Sequence, residues 1–342
     1  GRLRDQWHGM SRTGTLGRLF AHTPTPAVEM HPQELARRRL KDGDLVRIQS
    51  RRATLLLPVR ATDTVLPAQA CVPMHWSSEW LGGANAAGVN ALMGTAACPQ
   101  SRQPELKHAT VRVARAELPW ALQAAVWWPA ADALALRERL QALLQQQGWA
   151  YASVQPFGRD DGLQLGLQLR VAAAEAPSAD TVAALAALLG LHGDAAAGCL
   201  AYADARGGRQ HQLRRVRLRA DGALDALLLA GDTASFPWLL GWLQGGEDAR
   251  AFGPALLRPS AQPPQAAGPG RGAVLCSCND VAEADIARAL QDCAQADPAT
   301  QLAAVQRATR CGTTCGSCLP ALQRRLRAAA AATPNPALQE PA

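Results

Sequence analysis

Five of the nine cysteines in this 342-residue chain lie in two short segments near its end. The first segment is Cys276-Ser-Cys278, and the second is Cys311-Gly-Thr-Thr-Cys315-Gly-Ser-Cys318. A thiolate cage needs four soft donors around one centre, and glycines beside them let backbone N–H groups point at the sulfurs. The best quartet is Cys276, Cys278, Cys315 and Cys318. Three roles stay open for Cys311: a spare thiol, a substitute ligand, or packing.

An iron–sulfur cluster and a tetrahedral zinc ion are the two candidates for this site. All-cysteine zinc sites also use paired cysteines, but both pairs are usually separated by two to four residues. The single residue between Cys276 and Cys278 therefore favours a cluster, with structural zinc as the alternative. An odd number of cysteines, in a chain too long to need disulfide staples, indicates a reducing compartment and metal-type use.

Charge and hydropathy argue against several classes of protein. The net charge of +7 comes almost entirely from arginine, with only Lys41 and Lys107 as lysines, and it is scattered along the chain, so nucleic-acid binding is not expected. No run approaches about 18 uncharged apolar residues, and no basic-then-apolar leader opens the sequence. We therefore expect a soluble, cytoplasmic protein that does not enter a membrane.

Composition divides the chain into three folded units. Residues 1–117 combine short strands, one small helix and polar loops, which suggests a compact β-barrel. Residues 118–257 read as an α+β domain without a catalytic constellation, so its role is unknown. Residues 258–272 are rich in proline and glycine and predict a linker. Residues 273–330 predict a small helical domain, and 331–342 a disordered tail.

Hydrophobic periodicity predicts the main elements of each unit. In the first unit it predicts a helix at 33–40 and strands at 45–48, 52–59, 72–76 and 109–113. In the second it predicts helices at 131–147, 181–189 and 236–243, a strand at 163–171, and a hairpin of 213–218 with 223–229 around Asp221-Gly222. In the third it predicts helices at 281–290, capped by Asp280 with Glu283, at 298–309, and from Pro320.

The cysteine segments resemble one known domain family. Cys276-Ser-Cys278-Asn-Asp-Val, followed by Cys315-Gly-Ser-Cys318-Leu-Pro, is similar to the bacterioferritin-associated-ferredoxin-type [2Fe-2S] domain. That family has a C-x-C pair, two helices, and then a Gly-Thr-x-Cys-Gly-x-Cys loop. The resemblance implies that Cys276, Cys278, Cys315 and Cys318 are the metal ligands, and it places Cys311 at a non-ligand position.

The opening segment carries a second resemblance. Gly1-Arg-Leu-Arg-Asp-Gln-Trp-His-Gly-Met-Ser-Arg-Thr-Gly is similar to the start of the dinucleotide-binding domain of molybdopterin oxidoreductases. This implies a double-psi β-barrel that holds the guanine dinucleotide ends of a molybdenum bis(molybdopterin guanine dinucleotide) cofactor. Pyrophosphates and purine edges are bound by arginine, histidine, amide side chains and backbone amides. The implied contacts are Gly1, Arg2, Gln6, Trp7, His8, Asn90 and Lys107, with His75 near the pterin. One departure is Cys98-Pro99, where the family usually has Asp-Pro.

The order of the two domains is similar to that in the catalytic subunit of bacterial assimilatory nitrate reductases. The resemblance implies reduction of nitrate to nitrite at molybdenum, with the [2Fe-2S] cluster receiving electrons from a ferredoxin, a flavodoxin or an NADH-dependent flavoprotein subunit. The chain is then expected to be a C-terminal part that lacks the catalytic centre, so no catalytic residue is assigned; a [4Fe-4S] cluster is expected in the missing N-terminal part. A solvated surface is favoured for the basic face of Arg324, Arg325 and Arg327, with docking of an acidic ferredoxin or flavodoxin as the alternative.

Two further functions stay open. The first is another molybdopterin oxidoreductase, such as a formate dehydrogenase, with the same appended domain. The second is a non-enzymatic interaction module stabilised by zinc. The C-x-C spacing and the opening segment both count against the second.

Overall fold

The computed structural model describes residues 1–3, 6–11, 13–14, 20, 23, 25–83, 85, 87–146, 148–158, 163–192, 198–204, 212–264, 272–291, 293 and 296–332, with the backbone alone for 328–332. The chain contains two compact units, Gly1–Ala266 and Ala267–Ala342. The mixed α+β class expected from the sequence is confirmed. Among the described residues, no helix has the length and apolar character to cross a bilayer.

The larger unit holds strands β1 to β12 and helices α1 to α4. The strands are β1 (Val28–Met30), β2 (Leu45–Gln49), β3 (Thr54–Ala61), β4 (Ala70–Cys71), β5 (Leu81–Gly83), β6 (Arg112–Arg115), β7 (Trp120–Pro129), β8 (Tyr151–Phe157), β9 (Gln164–Ala173), β10 (Cys199–Asp204), β11 (Gln212–Leu218) and β12 (Leu224–Gly231). The helices are α1 (Pro32–Arg37), α2 (Ala130–Gln146), α3 (Ala179–Leu188) and α4 (Phe236–Gly245).

A five-stranded mixed sheet forms the first part of this unit. Its order is β4-β1-β3-β2-β6, with β1 and β3 parallel and the other pairs antiparallel. Its middle strand β3 buries Leu55, Leu57 and Val59 almost completely. Each such aliphatic side chain contributes about 1.5–3 kcal/mol when removed from water. The predicted helix after Pro32 and the strands at 45–48 and 52–59 are confirmed.

Two predictions in this part were wrong or displaced. The strand expected at 72–76 is instead loop, and the strand β4 lies just before it. These residues bind the opening segment rather than a neighbouring strand: the N–H of Met74 donates to the carbonyl of Gly1 over 2.8 Å. The strand expected at 109–113 begins later, as β6, where it pairs with β2.

A seven-stranded antiparallel sheet forms the rest of the larger unit. Its order is β10-β11-β12-β7-β9-β8-β5. Helices α2 and α3 cover one face, and the core there includes Leu136, Leu140 and Leu144, spaced four residues apart on one side of α2. The short strand β5 pairs with β8 through Leu81 and Ser153, so residues 1–117 and 118–257 share a sheet.

Most predicted elements of residues 118–257 are confirmed. The helices at 131–147, 181–189 and 236–243 correspond to α2, α3 and α4, except that residue 147 lies outside the described residues. The hairpin of β11 and β12 turns at Asp221-Gly222, where Gly222 has a φ of 89°. Strands β7, β8 and β10 were not predicted. The strand β8 lacks the alternation of a half-buried strand because every one of its residues is buried.

The smaller unit contains a two-stranded ribbon and three helices. These are β13 (Val274–Cys276), β14 (Val281–Ala282), α5 (Glu283–Ala289), α6 (Pro298–Thr309) and α7 (Leu319–Ala332). The helix at 298–309 is confirmed to the residue, and α7 contains the predicted start at Pro320. Of the predicted linker, residues 265–271 lie outside the described residues, as do residues 333–342 of the predicted tail.

The cap predicted for α5 was wrong. The helix begins at Glu283, two residues late, because Val281 and Ala282 pair with β13. The carboxylate of Asp285 accepts the N–H of Ala282 over 3.0 Å and so supplies the cap expected from Asp280 and Glu283. Glu283 instead forms an ion pair with Arg325 of α7.

Candidate functional site

The five clustered cysteines come together at the ends of the elements of the smaller unit. Cys276 ends β13, Cys278 lies in the turn before β14, Cys311 follows α6, and Cys318 immediately precedes α7. The sulfurs of Cys276, Cys311 and Cys318 all lie within 4.8 Å of one another. The sulfur of Cys278 lies 3.1 Å from that of Cys315. The ribbon and the loop between α6 and α7 therefore form one sulfur-lined site.

The site is buried except at one corner. Cys276, Cys278, Cys311 and Cys318 are all buried, and Cys311 has an exposed fraction of 0%. Cys315 is exposed. Burial keeps water away from four of the five sulfurs and leaves one side open to an incoming molecule.

The loop that carries Cys315 depends on two glycines. Gly312 and Gly316 have φ values of 79° and 73°, a left-handed region that favours glycine. A Cβ at Gly312 would also collide with the side chain of Leu319, whereas one at Gly316 would lie 3.7 Å from it. The backbone conformation of this loop therefore favours glycine at both positions of the Gly-x-x-Cys-Gly pattern.

Asn279 ties the two cysteine segments together. Its Nδ2 donates to the carbonyl of Arg310 over 2.6 Å and lies 3.8 Å from the sulfur of Cys276. Its Oδ1 accepts from the hydroxyl of Thr314 over 3.2 Å. Sequence reasoning did not single out this residue, although its position directly after Cys278 was visible.

The thiols influence one another's ionisation. A hydrogen bond from Cys311, together with bonds from backbone amides, holds the pKa of Cys276 well below its usual range despite burial. Burial raises the pKa of Cys278, and the neighbouring Cys315 raises it further. The hydrogen bond with Cys276 raises the pKa of Cys311, and burial adds to the increase. A bound cation would favour the thiolate form of each of these sulfurs.

The residues present fit an all-cysteine iron–sulfur site. Thiolates are the ligands of [2Fe-2S] clusters, and hydrogen bonds to the sulfurs tune them. The described residues supply five sulfurs, glycine-shaped backbone beside them, and Asn279 as a nearby N–H donor. A unit of this size also buries few aliphatic side chains, and small domains commonly depend on a metal for stability.

The opening segment is held in place by His75. This side chain is buried, with an exposed fraction of 1%. Its Nε2 accepts the N–H of Leu3 over 3.0 Å, and its Nδ1 lies 3.0 Å from the carbonyl of Trp7. Burial lowers the pKa of His75, which fits a neutral ring that donates at Nδ1 and accepts at Nε2. In this structure His75 joins the backbones of Leu3 and Trp7.

The segment so held presents polar groups that fit a dinucleotide. Gln6 is buried, its Oε1 accepts from the hydroxyl of Thr13 over 2.6 Å, and its Nε2 has no partner among the described residues. An unpaired buried amide N–H costs about 1–3 kcal/mol, so a ligand oxygen there is favoured. Trp7 is 42% exposed, and the exposed ring of His8 meets it edge-on at 5.9 Å. Gly1 and Arg2 are exposed beside them.

Asn90 and Lys107 belong to different elements of the chain. Asn90 is exposed in a 3-10 turn, Val89–Leu92, and Lys107 is exposed in a loop. Among the described residues, no hydrogen bond joins either of them to residues 1–8. Close to the Asn90 turn, sequence reasoning missed the fully buried Asn85, which accepts from the N–H of Leu56 over 2.7 Å and donates to its carbonyl over 2.6 Å. Asn85 therefore fixes this turn against β3.

Comparison with known families assigns both ends of the chain. Residues 1–110 match the molydopterin dinucleotide binding domain, and residues 274–328 match the BFD-like [2Fe-2S] binding domain. The chain joins these two domains. The first match contains the segment held by His75, and the second contains all five clustered cysteines.

Relatives of the dinucleotide binding domain are named nitrate reductases. The chain is 39% identical over 114 residues to one from Klebsiella oxytoca, a match over 33% of this chain and 13% of the relative. It is 40% identical over 113 residues to one from Synechocystis, covering 33% and 15%. It is 33% identical over 115 residues to a periplasmic nitrate reductase from Desulfovibrio desulfuricans, covering 34% and 14%.

A solved structure, acetylene hydratase from Pelobacter acetylenicus, matches 34% of this chain and 17% of its own, with a TM-score of 0.29 and 14% identity. That likeness is too slight to support any argument.

Proposed function

We propose that this chain belongs to a molybdenum-dependent nitrate reductase, in which it binds the cofactor dinucleotide and relays electrons through a [2Fe-2S] cluster. The observation that supports this most directly is the presence of both domains in one chain whose relatives are nitrate reductases. The chain spans 13–15% of the length of these relatives. Because the chain covers so little of these relatives, the reduction of nitrate is itself part of what we propose.

In the smaller unit, Cys276, Cys278, Cys315 and Cys318 are the proposed ligands of the [2Fe-2S] cluster. Such a cluster supplies one-electron transfer, while the molybdenum cofactor supplies oxygen-atom transfer chemistry. The chain's own part is to hold the sulfurs, exclude water from them, and leave the corner at Cys315 open. That corner is the proposed point of electron entry.

In the larger unit, the opening segment is the proposed dinucleotide site. Arg2, His8 and Lys107 supply positive or hydrogen-bonding groups for a pyrophosphate, and the Nε2 of Gln6 needs an acceptor. Asn90 and Trp7 suit a purine edge and face, and Gly1 allows close approach. We propose further that the dinucleotide is a guanine dinucleotide, that this part of the unit is a double-psi barrel, and that His75 contacts the pterin.

An assimilatory role in the cytoplasm is the proposed setting, with a ferredoxin, a flavodoxin or an NADH-dependent flavoprotein subunit as the electron donor. The relative from Desulfovibrio desulfuricans is named periplasmic, so a bacterial periplasm is the alternative location. The [4Fe-4S] cluster expected in an N-terminal part stays a prediction. The domain boundary at residue 117 also stays a prediction. A formate dehydrogenase is the alternative enzyme, and a zinc-stabilised module is the alternative without catalysis.

Metal and sulfide analysis of the anaerobically purified chain tests the proposal. We expect about two irons and two acid-labile sulfides per chain and a paramagnetic resonance signal on reduction. Cys278→Ala is expected to lose them, and Cys293→Ala, which changes a half-buried cysteine outside the cluster, is expected to keep them. One zinc without sulfide would reject the electron-relay role.

A further inference from the structure

The sulfur site holds five thiols, one more than a [2Fe-2S] cluster needs. Such a cluster takes four cysteine sulfurs, two on each iron. The structure gathers five, and the additional one, Cys311, is fully buried between two proposed ligands. Packing alone does not explain a sulfur in contact with two other sulfurs, since any small apolar side chain fills such a space.

The distances divide the five thiols into a group of three and a pair. Cys276, Cys311 and Cys318 form the group, with the sulfurs of Cys311 and Cys318 3.7 Å apart. Cys278 and Cys315 form the pair. Among the described residues, no other three cysteine, histidine or acidic side chains come so close together. The surplus thiol therefore lies on the side of Cys276 and Cys318.

The spacing within the group of three suits a shared metal ion. Two sulfurs bound to one tetrahedral metal at about 2.3 Å lie about 3.8 Å apart. The separation of Cys311 from Cys318 is 3.7 Å. Cys311 can thus reach the iron that Cys276 and Cys318 would hold, whereas the pair of Cys278 and Cys315 has no comparable substitute.

We propose that Cys311 is a reserve iron ligand, which takes the place of Cys276 or Cys318 when either sulfur is lost. The inference rests on the proposed [2Fe-2S] cluster. In the exchange, the thiol of Cys311 gives its proton to solvent and its sulfur forms the iron–sulfur bond that the lost ligand vacates. The charge of the irons and the bridging sulfides do not change. Replacing Cys276 or Cys318 should then disturb cluster binding less than replacing Cys278 or Cys315.

The test compares single and double alanine variants of the full chain, purified anaerobically, by iron, acid-labile sulfide and visible circular dichroism. Alanine is used because a serine oxygen can itself bind iron. We expect Cys318→Ala and Cys276→Ala to keep iron and sulfide near wild-type content with an altered spectrum, and each to fall to background when Cys311→Ala is added. Cys278→Ala and Cys315→Ala should fall to background alone. Cys311→Ala alone should keep the wild-type content of iron and sulfide.

The outcomes separate the two proposals. Wild-type protein without iron and sulfide rejects the proposed function itself. A wild-type cluster that is lost equally from Cys318→Ala, Cys276→Ala and both double variants rejects the reserve ligand and leaves the electron relay standing. Loss of iron and sulfide from Cys311→Ala alone also rejects it, because Cys311 would then be a resident ligand. Measuring both Cys276 and Cys318 keeps the test decisive if one variant does not fold.

Discussion

Single side chains decide how the proposed dinucleotide segment is held. The ring of His75 joins Leu3 and Trp7, which lie far from it in sequence, and Asn85 binds both backbone groups of Leu56. Both are buried polar side chains whose partners are backbone atoms. Removing either leaves backbone groups unpaired, which is costly in a protein interior. The site therefore depends on residues that need not contact a ligand.

Replacing His75 with leucine should destabilise the larger unit by about 2–4 kcal/mol, because two backbone groups lose their partners. The pKa of His75 is lowered by burial. The unfolded chain then binds the proton more readily, so this contribution to stability is full above about pH 6.5 and declines as the pH falls. Urea unfolding followed by tryptophan fluorescence measures it, since all nine tryptophans lie in the larger unit.

His108, which is exposed, provides the matched control. His108→Leu should unfold like the wild type at pH 8 and at pH 5.5. A His75→Leu variant whose stability falls with pH as steeply as that of the wild type would contradict the assigned role of His75.

Short elements of the smaller unit bring the cysteines together. The ribbon of β13 and β14 places Cys276 and Cys278, and the loop between α6 and α7 places the other three sulfurs. Two features of these elements were not visible in the sequence. The pairing of Val281 and Ala282 in β14 overrides a good local capping pattern, and the link through Asn279 joins segments far apart in the chain. Both depend on tertiary contacts, which local propensity does not contain.

Gly312→Ala should lower the temperature at which the cluster's visible absorption is lost far more than Gly316→Ala. Both glycines have left-handed backbone, which costs an alanine about 1 kcal/mol. Only at Gly312 does the new methyl group also collide with Leu319. The two variants thus separate steric collision from backbone strain, and equal losses would show that the collision is relieved by movement of Leu319.

Asp285→Ala should destabilise the smaller unit by about 1 kcal/mol, because the N–H of Ala282 loses its acceptor. Glu283→Ala should cost less than about 1 kcal/mol, because Glu283 forms only an exposed ion pair with Arg325. Thermal unfolding followed by far-ultraviolet circular dichroism compares the two variants. A larger loss of stability in Glu283→Ala than in Asp285→Ala would support the cap that the sequence predicted from Asp280 and Glu283.

In the molecule as a whole, the two predicted parts of the larger unit are joined by several contacts. The strand β5 pairs with β8, and the guanidinium of Arg137 on α2 bonds Glu79 over 3.0 Å and lies 4.3 Å from the ring centre of Trp80. Arg170 of β9 donates to the carbonyl of Gly43 over 2.9 Å. The sequence predicted that the two cysteine segments come together, and it predicted most helices, because spacing and periodicity are local. It contained no signal for these joining contacts, since each pairs residues far apart in the chain.

A fragment of residues 118–264 should therefore aggregate or unfold more easily than one of residues 1–264. Without β5, the edge of β8 loses its partner, and an unpaired edge strand with apolar residues promotes association. Size-exclusion chromatography and tryptophan fluorescence compare the two fragments. A monomeric 118–264 fragment as resistant to urea as the longer one would support a domain boundary at 117.

The pairing of β5 with β8 also sets an order of events during synthesis. Leu81 leaves the ribosome well before Ser153, its partner, has been added. Strand pairing between distant segments must wait for the later one, and the earlier segment stays exposed meanwhile. The nascent protein therefore carries β5 without its partner strand through the translation of α2, until β8 has been added.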